Sequence, residues 1–238
     1  MKGSVLAASV AAIGLAAAVG ACGGSASTTQ TSSSPTSGAP ASASTSPTSA
    51  PAAAPAGYQR IGGAPQGVSL AVPSSWVTVN FAQQTMREAI RKIGLRGISQ
   101  ATLTRDMQAL QKLHAVYAVD IKSTGSSPGH FATNINAYCT NSGITQSGSA
   151  GVPILRRSAA TELQQIGAQN LSETDLKVGG VPGLQTSYTL STSGAGTLHA
   201  AQLEVLPKPD RACFVTLTTA GQLPTAVLAR IAPSLQYA

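Results

Sequence analysis

The sequence predicts an α+β fold, and two patterns along the chain of 238 residues support this prediction. In the last third, β-branched and apolar segments follow one another with short Gly, Pro and Ser turns between them, which is typical of an antiparallel meander. Helical patterns are interspersed with these hairpins and do not alternate strictly with single strands. An α+β fold is therefore favoured over a doubly wound parallel sheet.

The globular part is expected to begin near Tyr58, and its first half combines short strands with two helices. Residues 68–72 have strand composition, and Pro73 ends that segment. Asn80 is a suitable N-cap for a helix over residues 81–93. A second amphipathic helix follows, with an apolar face formed by Leu103, Met107, Leu110 and Leu113.

The second half begins with a segment in which residue character alternates. Residues 131–139 are expected to form a strand with Phe131 and Ile135 on one face and Asn134 and Asn136 on the other. The remaining elements are a helix that begins at Pro153 and ends at Gly167, a closing helix that begins at Pro224, and strands at residues 116–121, 173–178, 184–191, 197–206 and 212–219.

The first 22 residues have the features of an export signal. Lys2 supplies a positive charge, residues 5–19 are almost continuously apolar, and the run ends in VGAC at residues 19–22. This ending resembles the lipobox of bacterial lipoproteins, in which the cysteine, here Cys22, becomes the lipidated first residue. Two alternatives remain open. One is an ordinary secretory signal cut after Ala21, and the other is a retained transmembrane helix, although spanning a bilayer takes roughly 20 apolar residues.

The segment after Cys22 is predicted to be a tether. Residues 23–57 consist of Gly, Ser, Thr, Ala, Pro and one Gln, with no charge and no large apolar side chain. Such a segment cannot bury enough surface to fold, so it should be disordered, with a span of about 30–35 Å. An O-glycosylated stalk is a further possibility for this composition. The predicted organisation is a signal peptide at 1–21, a lipidated cysteine and tether at 22–57, and a globular domain at 58–238.

The chain is moderately basic, with a formal net charge of +7. Nucleic acid is a partner to consider for such a chain, but an exported protein rarely meets it, so anionic lipid headgroups or envelope glycolipids are the expected contacts. The clearest basic patch is on the first predicted helix and just after it, and it could lie on anionic headgroups. An ordinary solvated helix face is the alternative for these residues, which are Arg87, Arg91, Lys92 and Arg96.

The two cysteines that remain after Cys22 are predicted to form a disulfide. Cys139 and Cys213 both fall in predicted strands and share a face with apolar neighbours. An exported protein is in an oxidising compartment, which favours the bond. Two separate buried thiols, each acting as a small apolar side chain, are the alternative.

No catalytic or metal-binding motif is recognisable. There is no C-x-x-C motif, and no cofactor or metal is predicted because His114, His130 and His199 have no ligand spacing. Residues 147–151 differ by one residue from a nucleophile elbow, because Ser147 replaces the first glycine, and the segment is interpreted as a loop. Residues 194–196 are interpreted as a hairpin turn.

Three further side chains are candidates for a functional role on their own. Asp120 and Glu204 are acidic but have no evident acid/base partner in the sequence. Trp76 is the sole tryptophan, and it is interpreted as core packing, with a ligand-stacking platform as the alternative.

Residues 67–235 resemble the PsbP-like (Mog/PsbP) superfamily and, within it, the actinobacterial LpqN-type lipoproteins. The matching segments are GVSLAVP at 67–73 followed by Trp76, FATNIN at 131–136, GGVPG at 179–183 and FVTLT at 214–218. The resemblance implies a central antiparallel sheet flanked by helices, an αβα sandwich. It also implies a binding or assembly module rather than an enzyme, with no catalytic residue to transfer.

These observations together predict a membrane-anchored lipoprotein of the cell envelope. It would lie on the outer face of the cell membrane, exposed to the periplasm or cell wall, and bind a partner protein or an apolar or anionic envelope ligand. The alternative is an envelope hydrolase whose Ser and His come from distant positions in the chain, since such sites are not visible from spacing.

Overall fold

The computed structural model describes residues 53–81, 88, 108–127, 130–192 and 196–238. The predicted signal peptide, Cys22 and the tether up to residue 52 lie outside this part of the chain. So do most of the first predicted helix and the four residues of the predicted basic patch, Arg87, Arg91, Lys92 and Arg96. Within the described ranges, no helix combines the length and apolar character needed to cross a bilayer.

The described residues form two antiparallel sheets. A three-stranded sheet has the order β1-β2-β10, and a seven-stranded sheet has the order β3-β4-β5-β9-β8-β7-β6. The strands are β1 (Tyr58–Gly63), β2 (Val68–Pro73), β3 (Val77–Asn80), β4 (Val116–Asp120), β5 (Thr133–Asn141), β6 (Gln169–Val178), β7 (Val181–Thr192), β8 (Gly196–Lys208), β9 (Arg211–Thr219) and β10 (Gln236–Tyr237).

Besides short 3-10 turns and the helical residue Glu88, the described chain has α-helix at three places. Residues 108–112 are helical, α1 spans Val152–Gln165 and α2 spans Thr225–Ser234. Proline occupies the first turn of α1, where its missing N–H costs no helical hydrogen bond. The described part therefore has an α+β architecture, as the sequence predicts.

The two faces of the seven-stranded sheet bury different layers. On the face that we call the helix face, Leu155 and Ala159 of α1 pack with Tyr138, Leu184 and Phe214. On the opposite face, the sheet packs against the three-stranded sheet and α2, with a core that includes Leu70, Ile135, Leu203, Val215 and Ile231. Both faces of the seven-stranded sheet are covered, so buried residues occur at odd and at even positions along its central strands.

The hairpin between β6 and β7 depends on two glycines. Gly179 and Gly180 have φ angles of +56° and +85°, the left-handed region that two-residue hairpin turns use. A Cβ at Gly179 would also lie 2.5 Å from the backbone oxygen of Leu235, because the chain passes closely here. The GGVPG segment therefore ends one long strand and begins the next.

The predicted strands are found, most of them with longer bounds than expected, although β4 ends one residue earlier and β5 is shifted by two residues. Three strands, β1, β3 and β10, were missed. The sequence did not indicate β1, whose six residues include two glycines, or β10, which has only two residues. The prediction that Phe131 shares a face with Ile135 is wrong. The strand begins only at Thr133, so the alternation does not reach Phe131, which packs instead with Leu163 of α1.

Candidate functional site

Buried polar side chains are concentrated on the helix face of the seven-stranded sheet. Cross-strand partners point to the same side of a sheet, and one row of partners runs Asn136, Thr216, Gln202, Thr186 across β5, β9, β8 and β7. We call the set the polar stripe; it comprises Asn134, Asn136, Thr186, Tyr188, Gln202, Glu204, Thr216 and Thr218, all of them buried.

Part of the polar stripe is joined by hydrogen bonds. The Thr216 hydroxyl donates to Oε1 of Gln202 at 3.4 Å, and Nε2 of Gln202 donates to Oε1 of Glu204 at 2.9 Å. The side-chain amide of Asn134 donates to the Ala132 carbonyl at 3.0 Å. These bonds link the centre of the sheet to Glu204.

Other atoms of the stripe have no hydrogen-bond partner within the described residues. They are Oδ1 of Asn134, both polar atoms of the Asn136 amide, Oγ1 of Thr186 and Oη of Tyr188. An unpaired buried donor or acceptor costs about 1–3 kcal/mol. Buried polar atoms are otherwise almost always paired with protein or ordered water, so this group calls for hydrogen-bond partners that the described residues do not supply.

A cavity lies at the Glu204 end of the stripe. Its volume is about 40 Å³, which is room for a few water-sized groups, since one needs about 10–15 Å³. Its polar lining includes Thr140 and Ser142 at the end of β5 and in the loop after it, Ser158 and Glu162 of α1, and Glu204 of β8. Its apolar lining includes Ile144, Leu155 and Phe214.

The helix α1 brings its part of the lining into place. Leu155, Ser158 and Glu162 lie three and four residues apart, so they share one side of the helix. Leu155 is in the core, which fixes the rotation of that side toward the sheet. Arg156 bonds Glu173 and Asp175 of β6 at 3.3 and 2.5 Å, which joins the exposed side of the helix to the edge strand.

Burial changes the acidity of the site. Glu204 is only 1% exposed, and this burial is the main cause that raises the pKa of its carboxyl to about 8. The negative charges of Glu162 and Glu173 also raise this pKa, while the hydrogen bond from Gln202 opposes the shift. Burial likewise raises the pKa of the Glu162 carboxyl. At pH 7 Glu204 is therefore mainly protonated, and a ligand that favours its charged form would change that state.

The structure contains the disulfide that the sequence predicts. The sulfurs of Cys139 and Cys213 are 1.99 Å apart, and the two residues are direct cross-strand partners on β5 and β9. Both pack on the face away from the helix face. The bond therefore crosslinks the sheet behind the polar stripe without entering the cavity.

The other residues that the sequence singled out lie away from the cavity. Trp76 is 7% exposed and packs in the core on the small-sheet side. Ser149 is exposed in a short 3-10 turn before α1. Asp120 accepts a hydrogen bond from the Lys122 backbone and caps a 3-10 turn.

Within the described residues, no histidine side chain is hydrogen-bonded to the side chain of a serine, threonine or cysteine. His114 and His130 are exposed and His199 is half-buried. The one side-chain hydrogen bond seen at a described histidine joins Nδ1 of His130 to the Thr124 carbonyl at 3.3 Å. The described residues also hold no group of three His, Cys, Asp or Glu side chains that could bind a metal.

The sequence identified Glu204 as an acidic residue but did not reveal the buried polar stripe and the cavity in which it lies. A usable signal was present: Asn134 with Asn136, Gln202 with Glu204, and Thr216 with Thr218. In each pair, polar residues two apart share one face of an otherwise apolar strand. The convergence of the three pairs on one face depends on strand order, which spacing alone does not reveal.

Comparison with known proteins yields similarity to solved structures only. No family model and no curated protein matches the chain. Among solved structures, the chain is similar to the solution structure of cyanobacterial PsbP (CyanoP) from Synechocystis sp. PCC 6803, with a TM-score of 0.44 and 14% identity. The match covers 77% of this chain and 94% of that one. At this TM-score and identity the likeness carries no argument about family or function.

Proposed function

We propose that this protein is a lipid-anchored lipoprotein of the cell envelope whose globular domain is a non-enzymatic binding or assembly module. Its ligand would contact the polar stripe and enter through the cavity at Glu204. The proposal includes the LpqN-type relationship and the PsbP-like sandwich with helices on both faces of the sheet. Support for the location is the VGAC lipobox at 19–22 and the uncharged tether that follows it.

The observation that carries the binding role is the group of unpaired atoms in the polar stripe. Five buried polar atoms of Asn134, Asn136, Thr186 and Tyr188 have no partner in the described residues. At about 1–3 kcal/mol each, leaving all of them unpaired would cost about as much as the 5–15 kcal/mol net stability of a typical domain. A bound molecule that satisfies them would recover this cost and bind specifically.

The test is native mass spectrometry of the full chain, produced with its leader in a bacterial host and purified from membranes in mild detergent. We expect a bound mass on the wild type, beyond that of the lipid anchor. Thr186→Val keeps the side-chain volume but removes an unpaired hydroxyl, and Asn136→Leu removes the amide. Both variants should lose the bound mass.

The matched control is Thr133→Val. Thr133 is also buried in β5, but its hydroxyl is paired with Thr219 at 2.9 Å and lies outside the stripe. This variant should keep the bound mass. The proposal fails if the wild type carries no bound mass while Thr186→Val and Asn136→Leu raise the melting temperature, as expected of a dry core relieved of unpaired groups.

A further inference from the structure

The cavity at the end of the polar stripe has an unusual combination of walls. One part is acidic and hydroxylic, with Glu162, Glu204 and Ser158, and another is apolar, with Leu155, Ile144 and Phe214. None of the described residues that line it is Lys, Arg or His. A locally acidic cavity therefore lies inside a chain with a net charge of +7.

We infer that this cavity binds a primary ammonium group carried on a short alkyl stem. The ammonium hydrogens would be donated to the deprotonated carboxylates of Glu204 and Glu162 and to the Ser158 hydroxyl. The carbon stem would pack on Leu155 and Ile144, with the cation beside the ring of Phe214. The inference rests on the proposed binding function and names the chemical group that the site recognises.

The size of the cavity sets the size of the ligand group. About 40 Å³ accommodates roughly three water-sized groups at 10–15 Å³ each. An ammonium nitrogen with one or two methylene groups fills that space, whereas a quaternary ammonium with four methyl groups exceeds it. The recognised group is therefore the end of a molecule such as a free amine or an ethanolamine headgroup.

The apolar wall favours an organic cation over a metal ion. A calcium ion takes six to eight oxygen ligands, and magnesium requires a near-octahedral oxygen shell. Here Ile144, Leu155 and Phe214 occupy a large part of the lining and offer no oxygen from their side chains. An alkylammonium ion uses both kinds of wall, because its charge meets oxygen and its stem meets carbon.

The groups that face Glu204 leave its negative charge uncompensated. Glu162 on α1 and Glu173 on β6 repel it electrostatically, and the phenol groups of Tyr138 on β5 and Tyr188 on β7 also interact with its charge. The nearby cation on α1, Arg156, bonds Glu173 and Asp175 instead. A bound ammonium would supply the missing positive charge in a buried place, where the low dielectric strengthens its attraction to the carboxylate.

Isothermal titration of the full chain in detergent tests the inference with ethylammonium as the probe. Ethanol is the neutral control of equal length, tetramethylammonium is the size control, and calcium chloride is the metal control. We expect saturable binding of ethylammonium at pH 8.5 and no binding of ethanol, tetramethylammonium or calcium. Affinity should fall at least tenfold at pH 6, where Glu204 is protonated, because proton and ammonium compete for the carboxylate.

Variants separate this site from general surface charge. Glu204→Gln keeps the shape and should weaken ethylammonium binding at least tenfold. Asp175→Asn removes an acidic group outside the cavity lining, on a side chain that is 67% exposed, and should change affinity less than twofold. Equal losses in both variants, or calcium binding more tightly than ethylammonium, would overturn the inference.

Two further ligands identify the source of the ammonium group. Dihexanoyl-phosphatidylethanolamine binding, with no binding of the matching phosphatidylcholine, would assign a lipid headgroup. Ethylammonium binding without phosphatidylethanolamine binding would assign a free amine, and both results support the site. If ethylammonium does not bind although native mass spectrometry shows a bound mass, only the ammonium assignment fails. If neither ethylammonium binding nor a bound mass is seen, the ammonium assignment and the proposed binding function both fail.

Discussion

At the scale of single residues, Glu204 is the side chain whose chemistry depends most on the fold. Its carboxyl is placed among apolar side chains by the inward register of β8, opposite Leu184 and Phe214. A charged carboxylate in such a place lacks the solvation that water provides, so its neutral form is favoured. Protonation of Glu204 is therefore coupled to the stability of the domain.

The coupling predicts a specific pH dependence of stability. The folded pKa of Glu204 is raised from 4.5 to about 8, so between these values the folded state holds a proton that the unfolded state has released. Stability from this group is therefore full below pH 4.5 and is lost as pH rises toward 8, at about 1.4 kcal/mol per pH unit. The ligand-free full chain should show a melting temperature that falls over this range.

Glu204→Gln isolates this contribution. Glutamine does not titrate, so the variant should show a flatter pH profile between pH 5 and 8 than the wild type. The comparison is of slopes and not of absolute stability, because Glu162 and other groups titrate in both proteins. Parallel profiles for the two chains would contradict the assignment of the shift to Glu204.

At the residue scale, the sequence predicted the disulfide but not the polar stripe. Cys139 and Cys213 could be paired because only two cysteines remained and both lay in strand-like segments. Asn134 and Asn136 share one face of their strand, but asparagines in a strand usually face water, so the pattern alone favoured an exposed face. Their burial depends on the packing of other segments over that face, which is a tertiary event.

At the scale of elements, the β5–β9 pairing holds the middle of the seven-stranded sheet together. The two strands pair from Asn134 with Thr218 to Asn141 with Arg211, and the disulfide lies within this ladder. The cysteines are separated by 74 positions, so the bond closes a long loop that includes α1 and the hairpins of β6, β7 and β8. Such a bond restricts the unfolded chain strongly.

Removing the disulfide should therefore reduce stability substantially. In the chain-entropy account, a loop of this length is worth about 4 kcal/mol. The double variant Cys139→Ala/Cys213→Ala should lose roughly that much unfolding free energy in denaturant titration, while keeping a native far-ultraviolet spectrum.

The Cys22→Ala chain, unfolded without reductant, should show no free thiol; finding two thiols per chain would contradict the bond.

Elements with strong local signals were predictable, and elements defined by contacts were not. The β6–β7 hairpin was indicated by Gly179-Gly180 between apolar segments, and α1 by Pro153 and its apolar stripe. By contrast, β1 exists because Tyr58–Gly63 pairs with β2 along its full length, and β10 because two residues pair with Ser69 and Val68. Neither strand has a periodic pattern that would identify it in isolation.

At the scale of the whole molecule, the proposed location and the proposed binding role are assigned to separate parts of the chain. The proposed binding site lies within residues 134–218, and the proposed anchor lies at Cys22. The tether between them would hold the domain about 30–35 Å from the membrane if it behaves as a flexible chain. A domain at that distance could meet a membrane lipid or a soluble envelope molecule without a change in its own structure.

This separation predicts that the anchor can be removed without loss of the site. Two acyl chains suffice for stable anchoring because each buried methylene adds about 0.8 kcal/mol, whereas one chain binds only marginally. Cys22→Ala should therefore move the protein from the membrane fraction to the soluble or secreted fraction. Its domain should keep the melting temperature of the wild type and the same response to ethylammonium.

Metabolic labelling with palmitate distinguishes the three interpretations of the first 22 residues. A lipoprotein should incorporate the label in the wild type and lose it in Cys22→Ala. An ordinary secretory protein cut after Ala21 should be soluble and unlabelled in both forms, since no acyl chain holds it at the membrane. A retained transmembrane helix should leave both forms in the membrane fraction at the mass of the uncut chain. Membrane retention of Cys22→Ala would therefore count against the lipobox, while leaving the cavity at Glu204 to be judged by its own binding data.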